Sequence, residues 1–132
     1  MKSNRSIPDA AVIPEIPYAD VGAAAEWLTA AFGFELRLRI ANHRIHMSWN
    51  GGAIALVEGG DRTDHSSTLV RIDDADAHCA RAREHGARIV REPQTYPYGE
   101  RQYTAEDFAG HRWTFSETVT DVDPADWGGE TV

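Results

Sequence analysis

The sequence predicts an α+β fold built from two β-α-β-β-β modules. Three observations predict it: a capped helical segment that occurs twice, a strand before each copy, and a hairpin after each copy. Residues 12–18, VIPEIPY, read as a short strand. Asp20 then stands in N-cap position before VGAAAEWLTAAF, an alanine-rich amphipathic segment closed by Gly33. Residues 68–72, TLVRI, read as the second opening strand, Asp73 or Asp74 caps ADAHCARAREH, and Gly86 closes it. Asp20 to Gly33 spans 13 residues, and so does Asp73 to Gly86.

The hairpins follow in the same order. After the first helix come FELRLRI, HRIHMSW, Asn50-Gly51-Gly52 and AIALVE, and an Asn-Gly pair between alternating strands is a strong hairpin signal. After the second come RIVREP, RQYTAE, a turn at Asp107–Gly110 and HRWTFSE. The chain therefore divides into an N-terminal tail (1–10), a first module (11–58), a Gly- and charge-rich linker (59–66), a second module (67–118) and an acidic tail (119–132). The whole is expected to form one structural domain.

Bulk composition narrows the function classes. The 132 residues suit one domain, able to bury roughly two-thirds of its unfolded surface without staples. Net charge is −8, from 21 acidic and 13 basic residues, which argues against a nucleic-acid partner. Cys79 is the only cysteine, so no intramolecular disulfide forms. MKSNRSIPDA lacks a signal-peptide core, and no apolar run reaches membrane-spanning length. A cytoplasmic protein without a membrane partner is the expectation.

These segments resemble the vicinal oxygen chelate superfamily, also called the glyoxalase/bleomycin-resistance/dioxygenase group. The residues that carry the likeness are Asp20, Glu26-Trp27 and Phe32-Gly33-Phe34 in the first half. In the second they are Ile72–Asp76, Ala82–Gly86 and Gly110–Trp113. The resemblance covers roughly residues 10–118. It implies mixed sheets curled into a cup-shaped, glyoxalase-like fold, usually completed by homodimerisation, with a shared site in the cup. Members are either metal enzymes or metal-free binders that sequester drugs.

The resemblance also implies where metal ligands would stand: roughly seven residues before the capping Asp, and roughly four after the hairpin glycine. In this sequence those counts give Ile13 and Leu56, with Ser66 or Ser67 and Thr114 in the second half. Aliphatic and neutral hydroxyl side chains are poor partners for a divalent ion. No cofactor is therefore expected. A displaced metal set of Glu15, Glu58 and His65 is the alternative, since a shift of two residues preserves the sheet face.

Period-two alternation places Val12 and Ile16 opposite Ile13 and Glu15, and Leu69 and Arg71 opposite Thr68, Val70 and Ile72. Ala53, Ala55, Val57, Trp113 and Phe115 are expected beneath the helices. Ile54, Leu56, Glu58, Arg112, Thr114 and Ser116 are then expected on the cup face. A two-residue turn at Asn50-Gly51 brings Trp49, Met47, Ile45 and His43 to that face. A four-residue turn at Asp107–Gly110 adds Tyr103 and Arg101, and a one-residue slip there would move both away. The expected ligand-binding residues are Trp49, Tyr103, Arg112, Arg101, His43, Met47, Glu58 and Thr114. In this reading the aromatics stack a small molecule while the arginines and Glu58 select polarity.

Tyr96 and Tyr98 are expected in a rim loop, and His78, His85 and His111 in helix or turn positions. Cys79 is expected to be a small core residue. The expected function is metal-independent binding of a drug-like or metabolite molecule by a homodimer. The rivals are a metal-dependent lyase or dioxygenase, and metal-free acid/base chemistry by His43 with Glu58.

Overall fold

Two short polar side chains start the helices. Asp20 accepts a hydrogen bond from the Ala23 amide at 3.1 Å, which opens α1 (Val21–Phe32). Gly33, with φ of 83°, closes it in the left-handed conformation. Asp74 accepts from the Ala77 amide at 3.0 Å and opens α2 (Ala75–Glu84), which ends at Gly86, φ 86°. The second cap is therefore Asp74 and not Asp73. The cap-to-glycine spacing is 12 residues there against 13 in the first copy, and α2 has 10 residues against 12.

The computed structural model describes residues 4–6, 8–10, 12–59 and 67–127. The chain divides into two units, residues 1–63 and 64–132. From residue 60 on, the expected linker lies outside the described residues.

The first unit holds β1 (Glu15–Tyr18), β2 (Glu35–Ile40), β3 (Arg44–Trp49) and β4 (Gly52–Glu58) in the order β1-β4-β3-β2. Strand β1 runs parallel to β4, and the other pairs are antiparallel. The second unit repeats this with β5 (Ser67–Ile72), β6 (Arg88–Thr95), β7 (Glu100–Glu106) and β8 (Arg112–Thr118), ordered β5-β8-β7-β6. Each unit is thus the expected β-α-β-β-β module, and the class is α+β.

Each sheet lays its bulky apolar face under its own helix. In the first unit, register places Ile16, Ile45, Met47, Ile54 and Leu56 on one face. Leu36 and Arg39 share that face, pairing with Met47 and Ile45. A cleft of about 360 Å³ lies between these two side chains and Ala25, Glu26, Thr29 and Ala30 of α1, which identifies the helix side. Leu28 and Phe32 of α1 are buried with Ile45, Met47 and Leu56. Each such side chain stabilises the unit by about 1.5–3 kcal/mol.

In the second unit Tyr103, Trp113 and Phe115 share the helix side. His78 of α2 packs against the rings of Tyr103 and Phe115 and hydrogen-bonds the Tyr103 hydroxyl. Burial raises the Tyr103 phenol well above its ordinary range, so it stays protonated. Cys79 is buried as expected, and burial raises its thiol too.

One loop fixes the second sheet's register. Asp107 accepts from the amides of Ala109 and His111, each at 3.0 Å, and from the Trp113 indole at 3.1 Å. The loop therefore holds five residues, Asp107–His111, and pairs Glu106 with Arg112. The expected four-residue turn is corrected, and every partner across the hairpin moves by one. Beyond β8 the acidic tail is tied down at its start. Val119 and Thr120 donate to the Gly99 carbonyl, and a short 3-10 turn follows at Pro124–Trp127.

Candidate functional site

With its bulky side chains under the helix, each sheet presents a second face of different chemistry. In the second unit that helix-free face carries Gln102, Thr104, Glu106, Arg112, Thr114 and Ser116. They are joined in a ladder. Tyr98 donates to Gln102 Oε1 at 3.2 Å, Gln102 Nε2 donates to Ser116 Oγ at 3.0 Å, and Ser116 donates to Glu100 at 2.7 Å. Thr104 and Thr114 bond at 3.0 Å. Most of these groups are half-buried, and Ser116 is 2% exposed.

At the loop end of the ladder Glu106 bridges Arg88 at 3.0 Å and Arg112 at 3.3 Å. Burial pushes its carboxyl up, but hydrogen bonds and charge from the two arginines outweigh this and hold it below its ordinary value. At the other end Tyr96 and Tyr98 stack in parallel with ring centroids 5.4 Å apart. Polar groups held by one another in fixed rotamers, beside an aromatic pair, make a preorganised surface.

The first unit's helix-free face is smaller in side-chain volume and carries one charged chain of contacts. Ala53, Ala55 and Val57 of β4 lie beside Arg44, His46 and Ser48 of β3. Glu15, opposite Ala55, receives Arg44 Nη1 at 2.8 Å. Arg44 Nε donates to His46 Nε2 at 3.0 Å. His46 is 2% exposed. Burial first, then the charges of Arg44 and Arg37, hold its pKa below the ordinary value against the opposing pull of Glu15.

The expected site residues divide between the two sides. Thr114, Arg112 and Arg71 stand on the helix-free face, where Arg71 reaches Thr118 at 3.2 Å. Tyr103 and Arg101 do not: the five-residue loop turns them under α2, where Arg101 bridges Asp76 at 3.0 Å. Met47, Ile45, Ile54 and Leu56 also lie on the helix side, and Trp49 and Glu58 share their parity at the strand ends. The Asn-Gly turn and its register are as expected, but the face is reversed. Ala53, Ala55 and Val57 do not pack beneath the helix, because Ile45, Met47, Ile54 and Leu56 supply more apolar area to bury. His43 is exposed in the turn before β3. His78 and His85 belong to α2 and its C-cap, and His111 to the Asp107 loop. Tyr96 and Tyr98 sit at the β6–β7 turn.

Sequence reasoning placed Ser116 beside Thr114 but missed His46, Arg44 and Gln102. Alternation does carry the signal: whichever face holds Ile45 and Met47, the other holds Arg44, His46 and Ser48.

Among the described residues, the metal positions that the fold implies do not fit an ion. Glu15 is bound by Arg44, and Glu58 lies on the opposite face of the sheet, so the two carboxylates do not converge. His65 and Ser66 lie outside the described residues. Ser67 and Thr114 offer only hydroxyls, and the helix-free neighbour of Leu56 is Ala55. Among the described residues no three His, Cys, Asp or Glu side chains stand close enough to share a metal ion. No helix among them is long and apolar enough to cross a membrane.

Comparison with known proteins agrees with this architecture. The chain is similar to TioX from Micromonospora sp. ML1, with 31% identity over 81% of this chain and 97% of that one, at a TM-score of 0.70. It is also similar to a glyoxalase/bleomycin resistance protein from Streptomyces sp. CB03234, with 24% identity over 80% and 97% and a TM-score of 0.65. The fosfomycin resistance protein FosX from Listeria monocytogenes shares the fold alone, at 15% identity over 84% and 92% and a TM-score of 0.70. FosX has also been crystallised with Mn(II) and a sulfate ion. No curated protein matches the chain. The family model of the Glyoxalase/Bleomycin resistance protein/Dioxygenase superfamily matches residues 12–115, most of the length, and the protein belongs to that superfamily.

Proposed function

We propose that this protein binds a small organic molecule, drug-like or a metabolite, on the helix-free face of its second sheet and without a metal ion. The observation that carries this reading is the Tyr98–Gln102–Ser116–Glu100 ladder with Thr104 and Thr114. Half-buried donors and acceptors locked by one another are suited to fix the orientation of a ligand. Gln102, Thr114 and Arg112 would select polar groups, and the Tyr96–Tyr98 pair would meet a flat ring. The unsuitability of the metal positions supports stoichiometric binding over metal-assisted chemistry. A homodimer in the cytoplasm belongs to the same proposal, with the single cysteine buried.

A thermal-shift screen of planar polar compounds tests the reading, run with elemental analysis of the purified protein. The expected result is a hit whose amide shifts map to Gln102, Thr114 and Ser116, in protein free of stoichiometric metal. A tightly held metal ion that binding requires would overturn it.

A further inference from the structure

The cleft of about 360 Å³ in the first unit has one wall from α1 and the other from β2. Its size lies within the ordinary range of small-molecule pockets. Ala25, Ala30 and Leu36 line it with apolar surface. Leu36 pairs with the core residue Met47, yet it is 51% exposed, so the cleft leaves apolar area open to a ligand.

Two opposite charges line the same cleft, Glu26 from α1 and Arg39 from β2. Among the described residues neither side chain makes a hydrogen bond or ion pair, with the other or with a third group. Other arginines here are paired, Arg44 with Glu15 and Arg101 with Asp76. Arg39 Nη1 lies near the start of α1, 3.6 Å from where a Cβ on Gly22 would stand. The Asp20 carboxylate at that end is engaged by the Ala23 amide. Beside Arg39 a carboxylate is favoured by the guanidinium and by the positive end of the helix. Glu26 follows Gly22 by about one helical turn, roughly 6 Å along the axis, and favours an ammonium. The adjacent ammonium and carboxylate of one α-amino acid span that gap when each meets its partner at about 3 Å.

We propose that this cleft binds a small zwitterion with an apolar body, an α-amino acid whose side chain is aliphatic or aromatic. Its carboxylate lies on Arg39, its ammonium on Glu26, and its side chain on Leu36, Ala25 and Ala30. The site belongs to the first unit and does not rest on the binding proposed for the second sheet.

The test titrates the ¹⁵N-labelled full chain with L-phenylalanine and two partial probes. L-Phenylalaninamide lacks the carboxylate, and 3-phenylpropanoate lacks the ammonium. L-Phenylalanine should move the amides of Ala25, Glu26, Ala30, Leu36 and Arg39, with a Kd in the millimolar range. Each partial probe should bind about two- to fivefold more weakly, the value of one exposed ion pair. Glu26→Gln should weaken L-phenylalanine and its amide by that factor and leave 3-phenylpropanoate unchanged. Arg39→Gln should weaken L-phenylalanine and 3-phenylpropanoate and leave the amide unchanged. Both side chains are exposed, so both variants should fold. The proposal is overturned if L-phenylalanine leaves those amides unmoved, or if either partial probe binds as tightly as L-phenylalanine. It is overturned too if neither variant tells the three probes apart. Shifts at the cleft on concentrating the protein alone would give the cleft to a second copy of the chain, and would also overturn it.

Discussion

Replacing Asp107 with alanine removes the acceptor of three N–H groups at once. Its carboxylate, 5% exposed, receives the amides of Ala109 and His111 and the indole of Trp113 at 3.0–3.1 Å. Hydrogen bonds to a charged group contribute about 1.5–3 kcal/mol each, but they are not additive. The two loop amides can reach water if the loop frays. The indole N–H cannot, because Trp113 is fully buried under α2. The sum expected for Asp107→Ala is a loss of about 3–5 kcal/mol, most of it from the stranded indole and the loosened loop.

Against a stability of roughly 5–15 kcal/mol the variant should still fold, with Tm lower by about 10–20 °C. Thermal unfolding followed by circular dichroism reads this directly. Asp107→Asn keeps one acceptor oxygen and should lose about half as much. A loss below about 1 kcal/mol in Asp107→Ala would refute the view that this side chain sets the hairpin. The point bears on function, because the same loop decides whether Tyr103 shares the face of Thr114.

Three further outcomes follow from the geometry. Gly99→Ala places a Cβ 2.3 Å from the Thr120 carbonyl at a φ of +85°, so it should cost about 1–3 kcal/mol and speed hydrogen exchange of the Val119 amide. His46 binds its proton less readily folded than unfolded, facing Arg44, Arg37 and Glu15. Its contribution to stability is therefore full above about pH 6.5 and lost as pH falls through the lower folded value. His46→Asn should flatten that acid-side fall in a urea titration, and an unchanged slope would contradict it. Tyr103→Phe removes a hydroxyl bonded to His78 and should cost about 1–2 kcal/mol while leaving ligand affinity unchanged.

The module repeat was legible because each helix carries its own start and stop signals, Asp20 with Gly33 and Asp74 with Gly86. Local chemistry writes such signals directly into the sequence. The first hairpin's register was legible for the same reason: Asn50-Gly51 dictates a two-residue turn. Which face meets the helix was harder, since alternation separates two sets of residues without naming the inner one. Volume decides it, and Met47, Ile54 and Leu56 outweigh Ala53, Ala55 and Val57. The second register turned on a side chain: Asp107 folds back on its own loop and adds a fifth residue, which turns length alone cannot show. His46 escaped notice because its distinguishing property, a proton with no acceptor, exists only once Arg44 occupies the other ring nitrogen.

The central claim is that the helix-free face of the second sheet binds a small molecule without metal. Its most direct test is one binding isotherm, for a compound found by thermal shift, recorded before and after exhaustive chelation and repeated with Gln102→Leu. The account predicts the same affinity with and without chelation, and a loss of roughly tenfold or more in Gln102→Leu, as expected when a ligand's polar group loses its partner. Binding that disappears on chelation, returns with a divalent metal and ignores Gln102→Leu would contradict it.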